Sequence, residues 1–332
     1  MAPTGVGQTL MAREIDEIPD AAARLAAPEV QAFLGAEAEI LRGLDPACVI
    51  TLARGSSDHA ASYLAYAFEY LFGRPVASVH PSIRSVFGRG FDVAGGVCLA
   101  ISQSGKSADL VETGAALGAG GARVLALTNV TGSPLEAAAS VRIDTCAGPE
   151  RAVAATKSVT NSVLAGLWLA AHWREDEGLT AALADVAEEL ANTASFPGLD
   201  AFLAEEGPVI VLARGPGLGV AQEIALKLQE TCGQFAQAYS AAEFLHGPSA
   251  AVRPGQRVLM LDTSPGLDQA RDRLRDLDAR VFDTAVPGAT VHPLIDPLLL
   301  LPPLYHSVEA AARARGLSPD HPFHLTKETI TR

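Results

Sequence analysis

The segment Ser102-Gln103-Ser104-Gly105-Lys106-Ser107 gathers three hydroxyls, a glycine and a lysine between an apolar run and a helical one. A glycine turn that opens a helix leaves backbone N–H groups pointing outward, so the segment has the make-up of an anion site, most naturally for phosphate. The plain alternative is an ordinary strand–helix turn with Ser107 as N-cap. Gly105-Lys106-Ser107 ends like a nucleotide-binding P-loop, but that loop needs a glycine five residues before Gly105, where Ala100 stands. A second turn of the same kind, Arg54-Gly55-Ser56-Ser57-Asp58-His59, offers Ser57 and a neighbouring serine. In parallel α/β sheets ligands bind beyond the carboxyl ends of the strands, so two such turns at one edge could share one phosphate.

Acid–base candidates lie further along. Over 218–232 a helical projection places Val220, Ala221, Ile224, Ala225, Leu228 and Cys232 on one broad face. Glu223, Lys227 and Glu230 fall within about 60° of each other on another face. That stripe is either chemical or a solvated surface whose i,i+4 Glu–Lys pair contributes only tenths of a kcal/mol. His246, beside Gly247-Pro248, is a group that carries protons near neutral pH, although a lone histidine is commonly structural. Lys327, in His324-Leu325-Thr326-Lys327, is a primary amine near a chain end, where lysines are commonly just solvated.

Positioning these groups takes strands and helices. Apolar β runs are predicted at 48–53, 75–79, 97–101, 123–127 and 141–144, and helices at 11–25, 28–43, 57–72, 107–118 and 157–174. Continuous apolar strands alternating with helices make an α/β fold, a parallel sheet flanked by helices on both faces. The second half repeats the first: Val49-Ile50-Thr51-Leu52-Ala53-Arg54-Gly55 matches Val209-Ile210-Val211-Leu212-Ala213-Arg214-Gly215 at an offset of 160 residues. The offset holds at Gly73 and Gly233, and at Ile101–Ser104 against Leu261–Ser264. Three landmarks at one offset predict tandem duplicated units. The expected organisation is a helical extension over 1–36, a first unit over 37–175, a helical connector over 176–198, a second unit over 199–315 and a tail over 316–332. Without a Ser/Gly-rich linker the two units are expected to pack rigidly. Where Glu223, Lys227 and Glu230 stand in the second half, the first has Tyr63, Ala67 and Tyr70, so these charges are particular to the second. The second half in turn has Arg214-Gly215-Pro216-Gly217 and Asp262-Thr263-Ser264 at its turns. Fewer hydroxyls and a carboxylate there predict a single phosphate site, in the first half.

Composition excludes several partners. Of 332 residues, 25 are Lys or Arg and 38 Asp or Glu, a net charge of −13 that repels nucleic acid and anionic membrane surfaces. With 48% hydrophobic and 19% charged residues, there is ample core and no case for disorder. Cys48, Cys98, Cys146 and Cys232 lack metal-ligand spacing and sit in apolar segments, so reduced core thiols are expected, with no metal site. Residues 1–10 do not have the layout of a signal peptide, and no apolar run reaches 18 residues, so a cytoplasmic protein is expected.

Taken in order, the motifs resemble the SIS (sugar isomerase) domain family, in particular the isomerase half of glutamine–fructose-6-phosphate aminotransferase. The resemblance runs from Met11-Ala12-Arg13-Glu14-Ile15-Asp16-Glu17-Ile18-Pro19 through the Ser102–Ser107 turn, Gly148-Pro149-Glu150 and Val153-Ala154-Ala155-Thr156-Lys157. It continues in Ala225–Glu230, Ala238–Pro248 and the final Leu325-Thr326-Lys327. It implies that Ser102, Gln103, Ser104 and Ser107 hold a sugar 6-phosphate, with Ser57 close by and Val153 at the substrate. It implies that Glu230 moves a proton between C1 and C2, that His246 of a neighbouring subunit in a homodimer assists ring opening, and that Lys327 forms or assists an imine at C2. Glu223 and Lys227 would orient the open-chain sugar, and no cofactor is implied. The chain departs from the family at Lys106, usually Glu, at Ala155, usually Ser, and at Arg54 before the first serine turn; Ala155 removes one sugar-hydroxyl contact. Only about 45 residues precede the first strand, with no cysteine before Cys48 to serve a glutaminase. The implied reaction therefore runs toward ammonia release: glucosamine 6-phosphate to fructose 6-phosphate, as in SIS-type glucosamine-6-phosphate deaminases. A deglycase for sugar-phosphate adducts of amino acids is the alternative. A non-catalytic sugar-phosphate sensor is another, but such regulators usually bring a helix-turn-helix and a basic face, and this chain has neither.

Overall fold

A computed structural model describes residues 7–284 and 290–327. Three helices come first: α1 (Leu10–Asp16), α2 (Ile18–Leu25) and α3 (Pro28–Leu44). The single helix predicted over 11–25 is broken at Glu17, because Pro19 has no N–H for the Ile15 carbonyl and its ring crowds that carbonyl. Strands and helices then alternate: β1 (Val49–Leu52), α4 (Ser56–Phe72), β2 (Val76–Ser78), α5 (Ser82–Ser85), β3 (Val97–Ser102), α6 (Ala108–Ala119), β4 (Arg123–Thr128), α7 (Pro134–Ala138) and β5 (Val141–Asp144). Helices α8 (Lys157–Arg174), α9 (Glu177–Ala191) and α10 (Leu199–Ala204) lead into β6 (Val209–Ala213), α11 (Gly217–Cys232), β7 (Ala236–Ser240), α12 (Ala241–His246), β8 (Arg257–Met260), α13 (Asp268–Asp276), β9 (Arg280–Asp283), α14 (Asp296–Leu299) and α15 (Leu301–Ala314). Most predicted bounds hold within one or two residues.

The chain divides into two units. One comprises Ile18–Glu150 and Lys157–Glu188 and holds a five-stranded parallel sheet in the order β2-β1-β3-β4-β5. The other comprises Arg151–Thr156, Glu189–Lys327 and the chain up to Glu17, and holds a four-stranded parallel sheet, β7-β6-β8-β9. The two orders are equivalent. Val49 and Val209, Val76 and Ala236, and Val97 and Arg257 open matching strands at the 160-residue offset read from the sequence.

In the first-sheet unit β1 and β3 are buried along their whole length. A strand covered on both faces has no solvent side, which is why Val49–Leu52 and Val97–Ile101 are apolar without alternation. On one face Ile50, Leu52, Cys98, Ala100, Val124 and Ala126 pack with Leu110 and Leu117 of α6 and Leu135 of α7. Helix α8, buried on nearly every side, packs on α2, α3 and α4. Leu212, Val258 and Met260 form the corresponding layer of the second-sheet unit with Phe244, Ala270 and Leu274. All four cysteines are free, and the expectation of core thiols needs correcting for two of them. Cys98 and Cys232 are buried, whereas Cys48, just before β1 and packed against the core, and Cys146, just after the edge strand β5, are half-buried.

Candidate active site

In the first-sheet unit the chain leaves β1 toward β2 and leaves β3 toward β4, on opposite sides, so the strand order reverses between β1 and β3. Both serine turns follow these two strands and emerge at this reversal, where α/β sheets open a crevice for ligands. β3 ends at Ser102, paired with Thr128 of β4. The Ser102 hydroxyl accepts from the Gly105 N–H at 3.1 Å and Ser104 Oγ from the Lys106 N–H at 3.4 Å, so the turn is shaped by its own hydroxyls. Gly105 has φ +63°, and a Cβ there would lie 2.2 Å from Ser133 Oγ. The glycine is therefore required by conformation and by space. Ser107 is the N-cap of α6 without a side-chain capping bond, which leaves the capping alternative unsupported as the reason for its hydroxyl. Ser57, Gln103, Ser104 and Ser107 are half-buried and Ser102 is buried.

Arg54 stands at the head of the first serine turn, where it departs from the family pattern. Its guanidinium reaches Asp109 in the first turn of α6, with Nε and a terminal nitrogen each 3.0 Å from Oδ2. Asp109 is buried while Arg54 is about half exposed, so the pair ties one serine turn to the other and holds a cation at the crevice. The available signal was the strand-ending Arg-Gly shared by both halves. Beside it, burial pushes the Asp58 carboxyl above its usual value, against the opposing pull of His59, Arg54 and His80.

In the second-sheet unit the solvated-stripe reading of α11 is overturned. Glu223 is 1% and Lys227 0% exposed, and only Glu230 keeps partial access, at 21% of its side chain. The Lys227 ammonium bonds to Glu230 Oε2 and lies 3.4 Å from Glu223 Oε1. Tyr305 of α15, fully buried, donates to the same Glu223 oxygen at 3.2 Å. Periodicity could not show this, because α15 covers the stripe from a distant part of the sequence. Burial alone would lower the Lys227 pKa, but the carboxylates of Glu223 and Glu230 outweigh it and hold the pKa above the usual lysine value. The arrangement presents one partly accessible carboxylate backed by a fixed ammonium, a geometry suited to a general base.

Lys327 is not a solvated tail residue. Its Nζ donates to the Ala152 carbonyl at 2.5 Å, which brings it to the segment that carries half-buried Val153. His246 ends the six-residue helix α12 and is exposed. The tail residues from Glu328 on lie outside the described residues. Beyond the carboxyl ends of β8 and β9 there is a cavity of about 540 Å³ lined by Asp262, Thr263, Ser264, Thr284 and Asp296 among others. It contains none of the predicted site residues. Asp262 there is paired with Arg271 at 2.7 Å, and Arg271 also holds Asp283.

Comparison with known proteins places this geometry in a family. A model described as the SIS domain matches residues 47–172. Over its whole length the chain is 33% identical to an isomerizing glutamine–fructose-6-phosphate aminotransferase of Pyrobaculum aerophilum, and it spans 59% of that protein. It spans about half the length of the other curated relatives it matches. A solved structure from Silicibacter pomeroyi DSS-3, provisionally assigned as a phosphosugar isomerase, is 41% identical, with a TM-score of 0.87 over 94% of this chain and 100% of that one. The structure of a glucosamine-6-phosphate deaminase from Thermotoga maritima shares the fold, with a TM-score of 0.78 at 20% identity over 97% of this chain and 100% of that one. The chain belongs to the SIS domain family of phosphosugar isomerases. Among the described residues no helix is long and apolar enough to cross a membrane.

Proposed function

We propose that the protein is an amino-sugar-phosphate aldose–ketose isomerase that releases ammonia, converting glucosamine 6-phosphate and water to fructose 6-phosphate and ammonia. The observation that carries this reading is the buried Glu223–Lys227–Glu230 cluster. Burying two charges against a third carboxylate that stays partly accessible is a poor way to stabilise a helix, and it suits proton transfer.

In the proposed reaction the serine turn, with Ser102, Gln103, Ser104, Ser107 and Ser57, holds the 6-phosphate, and Val153 lies at the substrate. His246 assists ring opening and comes from the partner copy of a homodimer. The C1 aldehyde acidifies the C2 proton. Glu230 takes that proton and returns it to C1, which leaves a C2 imine. Lys327 displaces ammonia from the imine, and water then cleaves the lysine imine to the ketone. Glu223 and Lys227, being buried, act on the sugar through Glu230.

The test is ammonia release across a panel of 6-phosphorylated amino sugars and amino-acid–sugar-phosphate adducts. Ammonia from glucosamine 6-phosphate is expected. Release of free amino acid from the adducts alone would establish the deglycase reading. Binding without turnover of any member would establish a sensor.

A further inference from the structure

The segment Arg151–Thr156 is gripped from two sides by the two ends of the chain. Glu14 of α1, 5% exposed, accepts the N–H groups of Arg151 and Ala152, the latter at 3.2 Å. The carbonyl of the same Ala152, itself without exposed surface, accepts from Lys327 Nζ at 2.5 Å. One buried residue thus links the Glu14 carboxylate to the Lys327 ammonium. The tail that carries Lys327 also fixes α1: Asp320 takes the N–H groups of Leu10 and Met11, each at 2.8 Å. The Thr9 hydroxyl donates to Glu309 of α15 at 2.8 Å. Packing alone does not call for this, since an apolar residue would fill the site of Glu14 without the desolvation of a carboxylate. What the carboxylate adds is a fixed position for the backbone at Arg151 and Ala152.

Resting on the reading that Lys327 condenses at C2, we propose that Glu14 is a positioning residue for Lys327, acting through Ala152, with Asp320 bracing α1. Glu14 sets where the ammonium waits and has no part in the Glu230 proton transfer. The two chemistries should therefore separate when Glu14 is changed.

Glu14→Gln keeps the volume and loses the charge and one acceptor oxygen. Two readouts are needed with fructose 6-phosphate. Borohydride trapping reduces a lysine imine to a stable amine, seen as a gain in protein mass at the peptide containing Lys327. Exchange of solvent deuterium into C1 reports the Glu230 step. Trapping is expected to slow about 10- to 100-fold, the range for a misplaced reacting group, while C1 exchange changes by less than about threefold. Asp320→Asn should lower trapping in the same direction by less, and it serves if the first variant fails to fold. Unchanged trapping in the variants, or equal losses of trapping and exchange, overturns the inference alone. No trapping in the unaltered protein while C1 exchange proceeds overturns the Lys327 reading, and this inference with it.

Discussion

At the scale of single residues, one carboxylate carries the proposed chemistry. Glu230→Gln removes a base and keeps the side chain's size, on a helix face only partly exposed. Turnover is expected to fall on the order of 10²–10⁴-fold in a variant that still folds, and a folded variant with full activity would end the assignment. Lys227 makes a different prediction, about stability. It is fully buried between two carboxylates, so Lys227→Met leaves a buried charge at Glu223 and should lower stability by about 3–5 kcal/mol in denaturant unfolding. Adding Glu223→Gln should restore part of that loss. Because the folded-state pKa of Lys227 is raised above the usual 10.5, its contribution is complete below that pH. It disappears only as the pH climbs through the raised value. Stability compared between the unaltered protein and the double variant should therefore show a constant difference through neutral pH and convergence only in strong alkali.

At the scale of elements, the turn between β3 and α6 is the proposed unit of phosphate binding. Its hydroxyls close the turn on themselves, through Ser102 to Gly105 and Ser104 to Lys106, so the site exists before any ligand arrives. The phosphate is not altered in the proposed reaction, so its site would bind ground state and transition state alike, which is uniform binding. Ser102→Ala with Ser104→Ala should therefore raise KM for the phosphorylated sugar at least about tenfold, from the loss of hydrogen bonds to a charged group. The fall in kcat should be smaller, as steady-state kinetics would show. An unchanged KM would move the phosphate elsewhere, the turn at Asp262 being the next place to look.

At the scale of the whole molecule, the proposal makes active sites a property of the pair. His246 is exposed at the end of α12, where a second copy can use it. Mixing inactive Glu230→Gln protein with inactive His246→Ala protein should then restore activity. After random exchange of equal amounts, half the dimers are hybrids, each with one intact pocket, so about a quarter of all pockets should work in a closed two-fold dimer. No recovery after verified subunit exchange would place His246 in its own subunit's pocket or outside the chemistry.

Much of this protein is written locally in its sequence. The buried strands read as unbroken apolar runs because both faces of a parallel sheet are covered, and the 160-residue offset that aligns Val49 with Val209 also aligns strands whose sequences hardly match. The serine turn was legible because a glycine turn entering a helix is a short-range feature, set by the residues that make it. The break at Glu17 was equally local and was missed only because Pro19 was read as part of a continuous helix. What the sequence left open depended on partners far away along the chain. Periodicity placed Glu223, Lys227 and Glu230 on one face, yet whether that face met water or protein was decided by Tyr305 and α15, some 75 residues later. Arg54 gained its meaning from Asp109, and Lys327 from Ala152 and Glu14 at the other end of the chain. The burial of Lys227 and the partners of Arg54 and Lys327 belong to tertiary contacts, which no short window of sequence contains.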